Sequence, residues 1–324
     1  MTMIARINPA RLTGHRMLNV LHSMLLLGAM LLLFALTGLL FGGFFGLGLA
    51  LGFGCVLFLV SHLASSKMLL RLYNARPLEP YEAPELYRLV EALAARAGLD
   101  VVPQVFYVPS RVMNAFAIGS RKAPILGVTD GLLRGMNRRE MIGVLAHEIG
   151  HIVRGDLRVM RIADVITRLT SLFATFGQIL LFLNLPLLLT GAVVFYLPAV
   201  VLMIVAPMIN ALLQLALSRT REFDADLEAA RITGDPEGLA LALHKLDDES
   251  GGIWEVILFP GRKNPEPSLL RTHPDTTERI KRLMSLVDGY RPVFVDQPIE
   301  RDMLANSVEE IFRRPRWRIG GIWY

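Results

Sequence analysis

Two long apolar stretches divide the sequence. No Asp, Glu, Lys or Arg occurs from Met17 to Ser66, nor again from Leu169 to Ser218, and each stretch is 50 residues long. A helix that crosses a bilayer needs only about 20 apolar residues. Each stretch therefore predicts two membrane-spanning helices joined by a tight turn. We expect the first turn within residues 39–46, where glycines cluster, and the second within residues 183–191.

The second apolar stretch leaves an alternative open. It contains polar and helix-breaking residues, so it is also compatible with a hydrophobic hairpin buried in protein, which would reduce four spans to two. These residues are Gln178, Asn184, Pro198, Pro207, Asn210 and Gln214. Whether residues 169–217 cross the bilayer completely is therefore not decided by the sequence.

Basic residues flank both apolar stretches, whereas the predicted turns carry no Lys or Arg. Positive charge accumulates on the cytoplasmic side of membrane proteins. We therefore expect an integral, multi-pass protein of the inner (cytoplasmic) membrane whose hydrophilic segments all face the cytosol. The flanking residues are Arg6, Arg11, Arg16, Lys67, Arg71 and Arg76 around the first stretch, and Arg158, Arg161, Arg168, Arg219 and Arg221 around the second.

The hydrophilic segments predict an α+β fold that is mainly helical. Apolar spacings of three and four residues indicate helices over 83–100, from Asn137 to Gly155, and over 218–246 with a break at 234–236; a last helix covers 272–286. Short runs at 104–110, 113–119 and 123–130 predict a small β-sheet in which the last two form a hairpin. The expected order is an N-terminal tail 1–16, membrane hairpin 17–66, first half-domain 67–168, membrane hairpin 169–217, second half-domain 218–290 and C-terminal tail 291–324.

Composition adds few further constraints. Hydrophobic residues make up 53% of the chain, and the mean hydropathy is +0.44, which is too apolar for an ordinary soluble protein. The single cysteine, Cys55, allows no intrachain disulfide, which suits a reducing compartment. The net charge of +5 is accounted for by the flanking arginines and the tail. We therefore expect the lipid bilayer as a partner and no nucleic acid.

The sequence LAHEIGHIVRGD, residues 145–156, carries the candidate chemistry. On a helix, His147 and His151 are one turn apart and can direct two imidazoles at one ion. Glu148, beside them, can then act as a general base in the H-E-x-x-H arrangement of zinc enzymes. The competing interpretation is a surface helix with solvated histidines.

A catalytic zinc site needs a third protein ligand. The extended motif H-E-x-x-H-x-x-G-x-x-H is excluded, because Arg154 and Leu157 occupy the positions of its glycine and last histidine. The predicted helix after the second apolar stretch offers Glu222, with Asp226 one turn further on the same face. A carboxylate at Asp226 can accept the free N–H of a zinc-bound histidine. The alternative is a charged, solvated helix face.

In these motifs and their order, the chain resembles the HtpX-like membrane zinc metalloproteases, which are relatives of the CAAX prenyl protease. The segments NAFAIG, HEIGHIVRGD, SRTREFDAD and THPDTTERI carry the resemblance, which extends over residues 80–285. It implies a membrane-embedded gluzincin fold and hydrolysis of membrane or misfolded polypeptides in the cytosol. One Zn²⁺ per chain is then bound by His147, His151 and Glu222, with Glu148 as base and Asp226 supporting a histidine.

The resemblance also implies roles for residues that the spacing alone does not assign. His273 and Arg279 correspond to a pair beside the catalytic centre, and His273 is suited to donate a hydrogen bond to the transition-state oxyanion. The alternative is that His273 only begins a helix and Arg279 forms an ion pair. The strand at 113–119 is expected to bind extended substrate through Asn114 and Ala115 as an added strand.

Three functions follow from these expectations. The first is a quality-control endopeptidase, and the second is a narrow processing enzyme of the CAAX type. The third is a catalytically silent scaffold that keeps zinc for structure, which Glu148 and a three-ligand set disfavour because structural zinc usually has four protein ligands. The sequence indicates neither the natural substrate nor the oligomeric state.

Overall fold

The structure, a computed structural model, describes residues 9–63, 70–71, 73–186, 190–191, 197–250, 276–284 and 286. His273 and the tail 291–324 lie outside these residues, as do most of the segment 247–268 and the start of the N-terminal tail. The described helices and strands confirm the expected class: the chain is mainly helical and has one small four-stranded sheet.

The elements follow the chain in this order: α1 (Pro9–Leu63), β1 (Arg76–Pro77), α2 (Pro84–Ala97), β2 (Gln104–Val108), β3 (Ala115–Ser120), β4 (Ala123–Thr129), α3 (Asp130–Gly135), α4 (Arg138–Arg154), α5 (Asp156–Leu183), α6 (Leu197–Thr233), α7 (Pro236–Ser250) and α8 (Thr276–Met284). They form two compact units, divided after Gly155 and after Glu222. The domain limits predicted from the apolar pattern, at 168 and 217, lie close to these divisions and stay a prediction.

The sheet belongs to the hydrophilic unit and has the strand order β1-β2-β4-β3. β3 and β4 form the predicted hairpin, with Ala115 opposite Val128 and Ser120 opposite Ala123. β2 runs parallel to β4, and the two-residue β1 pairs with β2; neither pairing was predicted. Among the described strands β3 pairs with β4 alone, so it forms one edge of the sheet, and α4 packs against it.

The core of the hydrophilic unit joins the sheet to α2, α4, α7, α8 and the end of α6. Its fully buried side chains include Leu126 of β4, Leu145 and Ile149 of α4, and Ile232 of α6. Helix α4 is central, because it packs on α2, α7 and β3. The candidate site is therefore built on the most enclosed helix of this unit.

The membrane unit contains the apolar helices. Within the described part of the chain, three helices are long and apolar enough to cross a bilayer, namely Met17–Leu40, Asp156–Leu183 and Ala199–Thr233, and a fourth apolar helix, Gly42–Val56, is shorter. The turn expected within 39–46 is confirmed, since Gly42 and Gly43 interrupt α1 with non-helical backbone angles. The second turn, expected within 183–191, stays a prediction, because between the end of α5 and the start of α6 the structure describes only residues 184–186 and 190–191.

Helices α5 and α6 expose their apolar side chains, which argues against a hairpin buried in protein. Exposed residues among those described include Phe176, Phe182, Leu183, Ile204, Met208 and Leu212. Such a surface is stable in lipid rather than in water. The second apolar stretch therefore has the outer surface of a membrane hairpin.

Polar residues of the second apolar stretch form hydrogen bonds between α5 and α6. Pro207 has no N–H, so it leaves the carbonyl of Met203, four residues earlier, without its helical donor. The side chain of Gln178 donates to this Met203 oxygen across 3.3 Å. Likewise, the amide of buried Asn210 donates to the Thr170 hydroxyl. These residues thus stabilise the helix pair, and they do not indicate a soluble hairpin.

Candidate metal centre

Helix α4 has strong local signals at both ends. Asn137 accepts a hydrogen bond from the Glu140 backbone, and the Glu140 carboxylate accepts one from the Asn137 N–H, which forms a reciprocal capping box. At the other end Gly155 adopts a left-handed conformation, with φ of 70°, and its N–H bonds to carbonyls of the last turn. These ends place the histidine pair in the second half of α4, as predicted.

The two histidines and Glu222 converge. One potential ligand atom from each of His147, His151 and Glu222 lies within 4.8 Å of the others. The Nε2 atoms of the two histidines are 3.2 Å apart. Glu222 is the last residue of the membrane unit, but α6 continues without a break into the hydrophilic unit, so the helix backbone fixes its position relative to Asp226.

This donor set fits a metal ion of the zinc type. Zinc takes imidazole nitrogens and carboxylate oxygens at about 2.0–2.2 Å in tetrahedral geometry, so neighbouring donors are expected about 3.4 Å apart. The histidine nitrogens already have nearly this separation. His147 and Glu222 are buried, and His151 is half-buried, so the ligand atoms are not spread over a solvated surface.

A buried carboxylate orients His147. Nδ1 of His147 donates to Oδ1 of Asp226 across 3.0 Å. Since an ionised carboxylate only accepts, this contact keeps the proton on Nδ1 and leaves the lone pair on Nε2, the atom that faces His151. Asp226 therefore contacts His147, and its role as the support of a metal-bound histidine stays a prediction.

Arg279 in turn holds Asp226. Its Nη2 and Nε donate to the two Asp226 oxygens at 2.7 and 2.8 Å, which is a bidentate ion pair, and Arg279 is only 2% exposed. Nη2 also lies 3.4 Å from both ring nitrogens of His147. Arg279 therefore forms a buried ion pair close to His147, and its part in the chemistry of the centre stays a prediction.

The pKa of Asp226 reflects this environment. The residue lies beyond Ser218, where the charge-free part of α6 ends. Burial alone would raise the pKa of the carboxyl, but the Arg279 charge and the hydrogen bonds from Arg279 and His147 outweigh it and hold the pKa at about 2. Asp226 is therefore ionised at neutral pH, as the His147 contact requires.

The other predicted site residues occupy different positions. Glu148 is buried on α4 beside His147. Asn114 and Ala115 lie at the start of the edge strand β3, but the backbone N–H and carbonyl of Asn114 are both bonded to Thr129. A role for Asn114 in substrate binding must therefore use its side chain. His273 lies outside the described residues.

Two alternatives from the sequence are wrong. The histidines of α4 are not solvated, because His147 is 4% exposed and His151 is half-buried. The face of α6 with Glu222 and Asp226 is also not a solvated surface, because both carboxylates are buried together with Glu228.

Two ion pairs near the junction of α4 and α5 were not predicted from the sequence. Arg154 pairs with buried Asp224 at 3.0 Å, and Arg221 pairs with buried Asp156 at 3.2 Å. The signal was present, because each motif, HEIGHIVRGD and SRTREFDAD, holds an arginine and an aspartate. Their partners lie about 65 to 70 residues away, and periodicity carries no information on such distant pairing.

The sequence of this chain is similar to those of known proteins. The profile of peptidase family M48 matches residues 80–287. A protein named "Protease HtpX homolog" from Burkholderia multivorans is 34% identical over 283 residues, which cover 83% of this chain and 98% of the relative. A protein of the same name from Paraburkholderia phytofirmans shows the same identity and coverage. The crystal structure of S. mikatae Ste24p aligns with a TM-score of 0.42 at 22% identity, over 84% of this chain and 66% of that chain.

The apolar helices, the convergent donors and these relatives define a class: this is a membrane protein and a metalloprotease, and its substrates are polypeptides. More specifically, the chain belongs to peptidase family M48. The family implies a metal ion, and the group His147, His151 and Glu222 could bind it. The resemblance seen in the sequence motifs is confirmed.

Proposed function

We propose that the protein is a zinc-dependent endopeptidase of the gluzincin type, integral to the inner membrane, that cleaves membrane or misfolded proteins on the cytosolic side. The observation that carries this proposal is the convergence of His147, His151 and Glu222 within 4.8 Å. A zinc ion held by these two nitrogens and one carboxylate would have three protein ligands, as in catalytic rather than structural zinc sites.

A zinc ion held by His147, His151 and Glu222 would supply Lewis acidity, which would lower the pKa of water at the site to about 7 and polarise the peptide carbonyl. Glu148 accepts a proton from the attacking water and delivers it to the leaving amine. Asp226 and Arg279 keep His147 in the tautomer that binds metal through Nε2. His273, as the resemblance implies, donates to the oxyanion.

Substrate binding is assigned to the open edge of the sheet. β3 begins with Ala115 and has β4 as its single described partner, while α4 packs against it. An extended polypeptide added to this edge would lie beside the helix that carries Glu148. Backbone pairing of this kind favours extended, unfolded segments over a defined sequence, which suits the removal of misfolded proteins. The side chain of Asn114 is the expected polar contact.

The cytosolic orientation rests on the arginines and lysine that flank both apolar stretches, because positive residues accumulate on the cytoplasmic side. With this topology the hydrophilic segments, which include α4 and the end of α6, share one compartment. The proposal requires this, since residues on both sides of the second hairpin supply ligands.

The decisive experiment uses the full-length protein purified in detergent with a chelator. Zinc is then added with an unfolded membrane protein, and the cleavage sites are mapped by mass spectrometry. We expect zinc-dependent cuts at many sequences and none with Glu148→Gln, although this variant keeps stoichiometric zinc. Full proteolysis by zinc-loaded Glu148→Gln would disprove the role of Glu148. Cuts confined to prenylated substrates would indicate the CAAX-type enzyme, and bound zinc without any cleavage would indicate a scaffold.

A further inference from the structure

Three successive contacts join α4 to the C-terminal part of α6. Nδ1 of His147 lies 3.0 Å from Asp226. A Cβ atom at Gly150 would lie 3.2 Å from the carbonyl oxygen of Ala225, so the helix backbones approach closely there. Nη2 of Arg154 lies 3.0 Å from Oδ2 of Asp224.

On α4 these contacts lie on one face, whereas on α6 they come from consecutive residues, so Asp224 and Asp226 lie on different sides of that helix. His147, Gly150 and Arg154 are spaced by three and four residues, which is the repeat of a single helix face. On α6 the three contacts are made by consecutive residues in reverse order along the chain, from Asp226 to Asp224. The first contact orients a metal ligand, and the second sets the distance between the helices. The third has no role in the mechanism described above.

The third contact is nevertheless largely buried. The side chain of Asp224 is fully buried, and that of Arg154 is only 12% exposed. A charge in such a position is stable only if it is paired, because its hydration is lost. Asp224 lies two residues from Glu222 and two from Asp226, while Arg154 lies one turn after His151. The pair therefore connects the two segments that hold all three potential ligands.

We propose that Arg154 and Asp224 are positioning residues that fix the crossing of α4 and α6, and through it the separation of Glu222 from the two histidines. The Asp226 contact holds the crossing at His147, and one polar contact restrains the relative rotation of two helices less than two separated contacts do. The Arg154–Asp224 pair is the second polar contact, two turns further along α4. Metal sites require their ligands to be held within about 0.5 Å, so loss of the second contact weakens metal binding.

The positioning role rests on the proposed metal site. The experiment is therefore designed so that failure of the positioning role and failure of the metal site give different results. Full-length protein in detergent is stripped of metal, and zinc affinity is measured by competition with a chromogenic chelator for the wild type, Arg154→Ala, Arg154→Lys and Asp224→Asn. The thermal unfolding of each metal-free protein is recorded as well. His147→Ala serves as the control for the site itself.

A matched control is present on the same helix. Arg139, near the start of α4, pairs with Asp235, whose side chain is also buried, at the α6–α7 junction and away from the ligands. Arg139→Ala therefore also leaves a buried aspartate without its arginine. If the Arg154–Asp224 pair served stability alone, Arg139→Ala and Arg154→Ala would behave alike.

We expect both alanine variants to unfold at lower temperature, but only Arg154→Ala and Asp224→Asn to lose zinc affinity, by about 10–100-fold as for other groups that support metal ligands. Arg154→Lys keeps the charge and should recover most of this affinity. Unchanged zinc affinity in Arg154→Ala, or an equal loss in Arg139→Ala, would overturn the positioning role. If wild type and His147→Ala bound zinc equally, the proposed metal site itself would be wrong.

Discussion

Arg279 and His147 bind the same oxygen atom. Oδ1 of Asp226 accepts from Arg279 at 2.7 Å and from His147 at 3.0 Å, while its other oxygen accepts from Arg279 at 2.8 Å. The imidazole is therefore held by a carboxylate that is itself fixed in orientation. Since Arg279 belongs to α8, far from α4 in the sequence, the last described helix contributes to the geometry of the centre.

We expect Arg279→Ala to reduce zinc affinity by about 10–100-fold, because Asp226 then loses the partner that fixes it. It should also lower the free energy of unfolding by about 3–5 kcal/mol, since a buried carboxylate is left uncompensated. Arg279→Lys should restore only part of both, because lysine cannot form the bidentate contact. Chelator competition and chemical denaturation measure the two effects.

Arg282→Ala is the control for Arg279. Arg282 lies on the same helix but is exposed, and its ion pair with Glu278 is exposed as well. Removing an exposed ion pair costs at most about 1 kcal/mol, and losing the stacking of Arg282 on the Phe223 ring adds about 0.5–1 kcal/mol. Equal effects of the two substitutions on zinc affinity would show that α8 acts only through general stability.

Glu222→Ala should lose far more zinc affinity than Asp226→Ala. The first change removes a ligand and opens the coordination sphere, whereas the second removes a support of one ligand, which typically costs about 10–100-fold. Metal content after dialysis against graded chelator concentrations gives the comparison. Equal zinc affinity in the wild type and Glu222→Ala would mean that another residue, such as His273 or Asp156, completes the site.

Gly143→Ala should destabilise the protein, although alanine is the better helix former. A Cβ atom there would lie 2.8 Å from both Cα and N of Leu239, so α4 and α7 would have to separate. Overpacking of this kind costs about 1–3 kcal/mol and exceeds the propensity gain of about 1 kcal/mol.

Gly28→Ala provides the opposite case within α1, since no atom lies within 4 Å of the added Cβ. This substitution should leave the unfolding midpoint unchanged or raise it. Denaturation of both variants in the same detergent tests the pair. A stabilised Gly143→Ala protein would contradict the close packing of α4 on α7.

Topology can be tested with single tags. With both hairpins entering and leaving on the cytoplasmic side, tags at residue 100 and at the C-terminus should be protected from external reagents in intact cells. Tags near 43 and 188 should be accessible. Moving one charge to mid-bilayer costs roughly 2.5–3.5 kcal/mol on insertion scales, so the basic flanks resist inversion. External labelling of residue 100 would reject the cytosolic assignment.

The sequence predicted what local chemistry determines. The ends of α4 follow from Asn137, Glu140 and Gly155, which act within one turn of the helix, and the break after Thr233 follows from Gly234 and a proline at 236. The hairpin β3–β4 could be predicted for the same reason, since few residues separate its strands. The two histidines stood out because the chain has only seven, and Glu222 stood out because Asp226 lies one turn further on the same helix face.

What the sequence did not predict depends on distant partners. The parallel pairing of β2 with β4 and the pairing of Arg154 with Asp224 join segments that no short-range pattern relates. Gln178 was counted against a membrane helix, whereas its side chain bonds the carbonyl that Pro207 leaves without a donor. A polar residue in an apolar stretch has opposite meanings with and without such a partner, and the partner is known only from the fold.

The position of Glu222 after the second apolar stretch has a consequence for biosynthesis. The two histidines are synthesised first, and Glu222 is the 71st residue added after His151. At about 5–20 residues per second, the nascent chain spends roughly 4 to 14 seconds with an incomplete donor set. During this interval both strands of the sheet hairpin and the general base are already present, but the proposed activity is not. A nascent protease assembled in this order cannot digest its own unfolded segments, or those of neighbouring nascent chains, before its last membrane helix has been made.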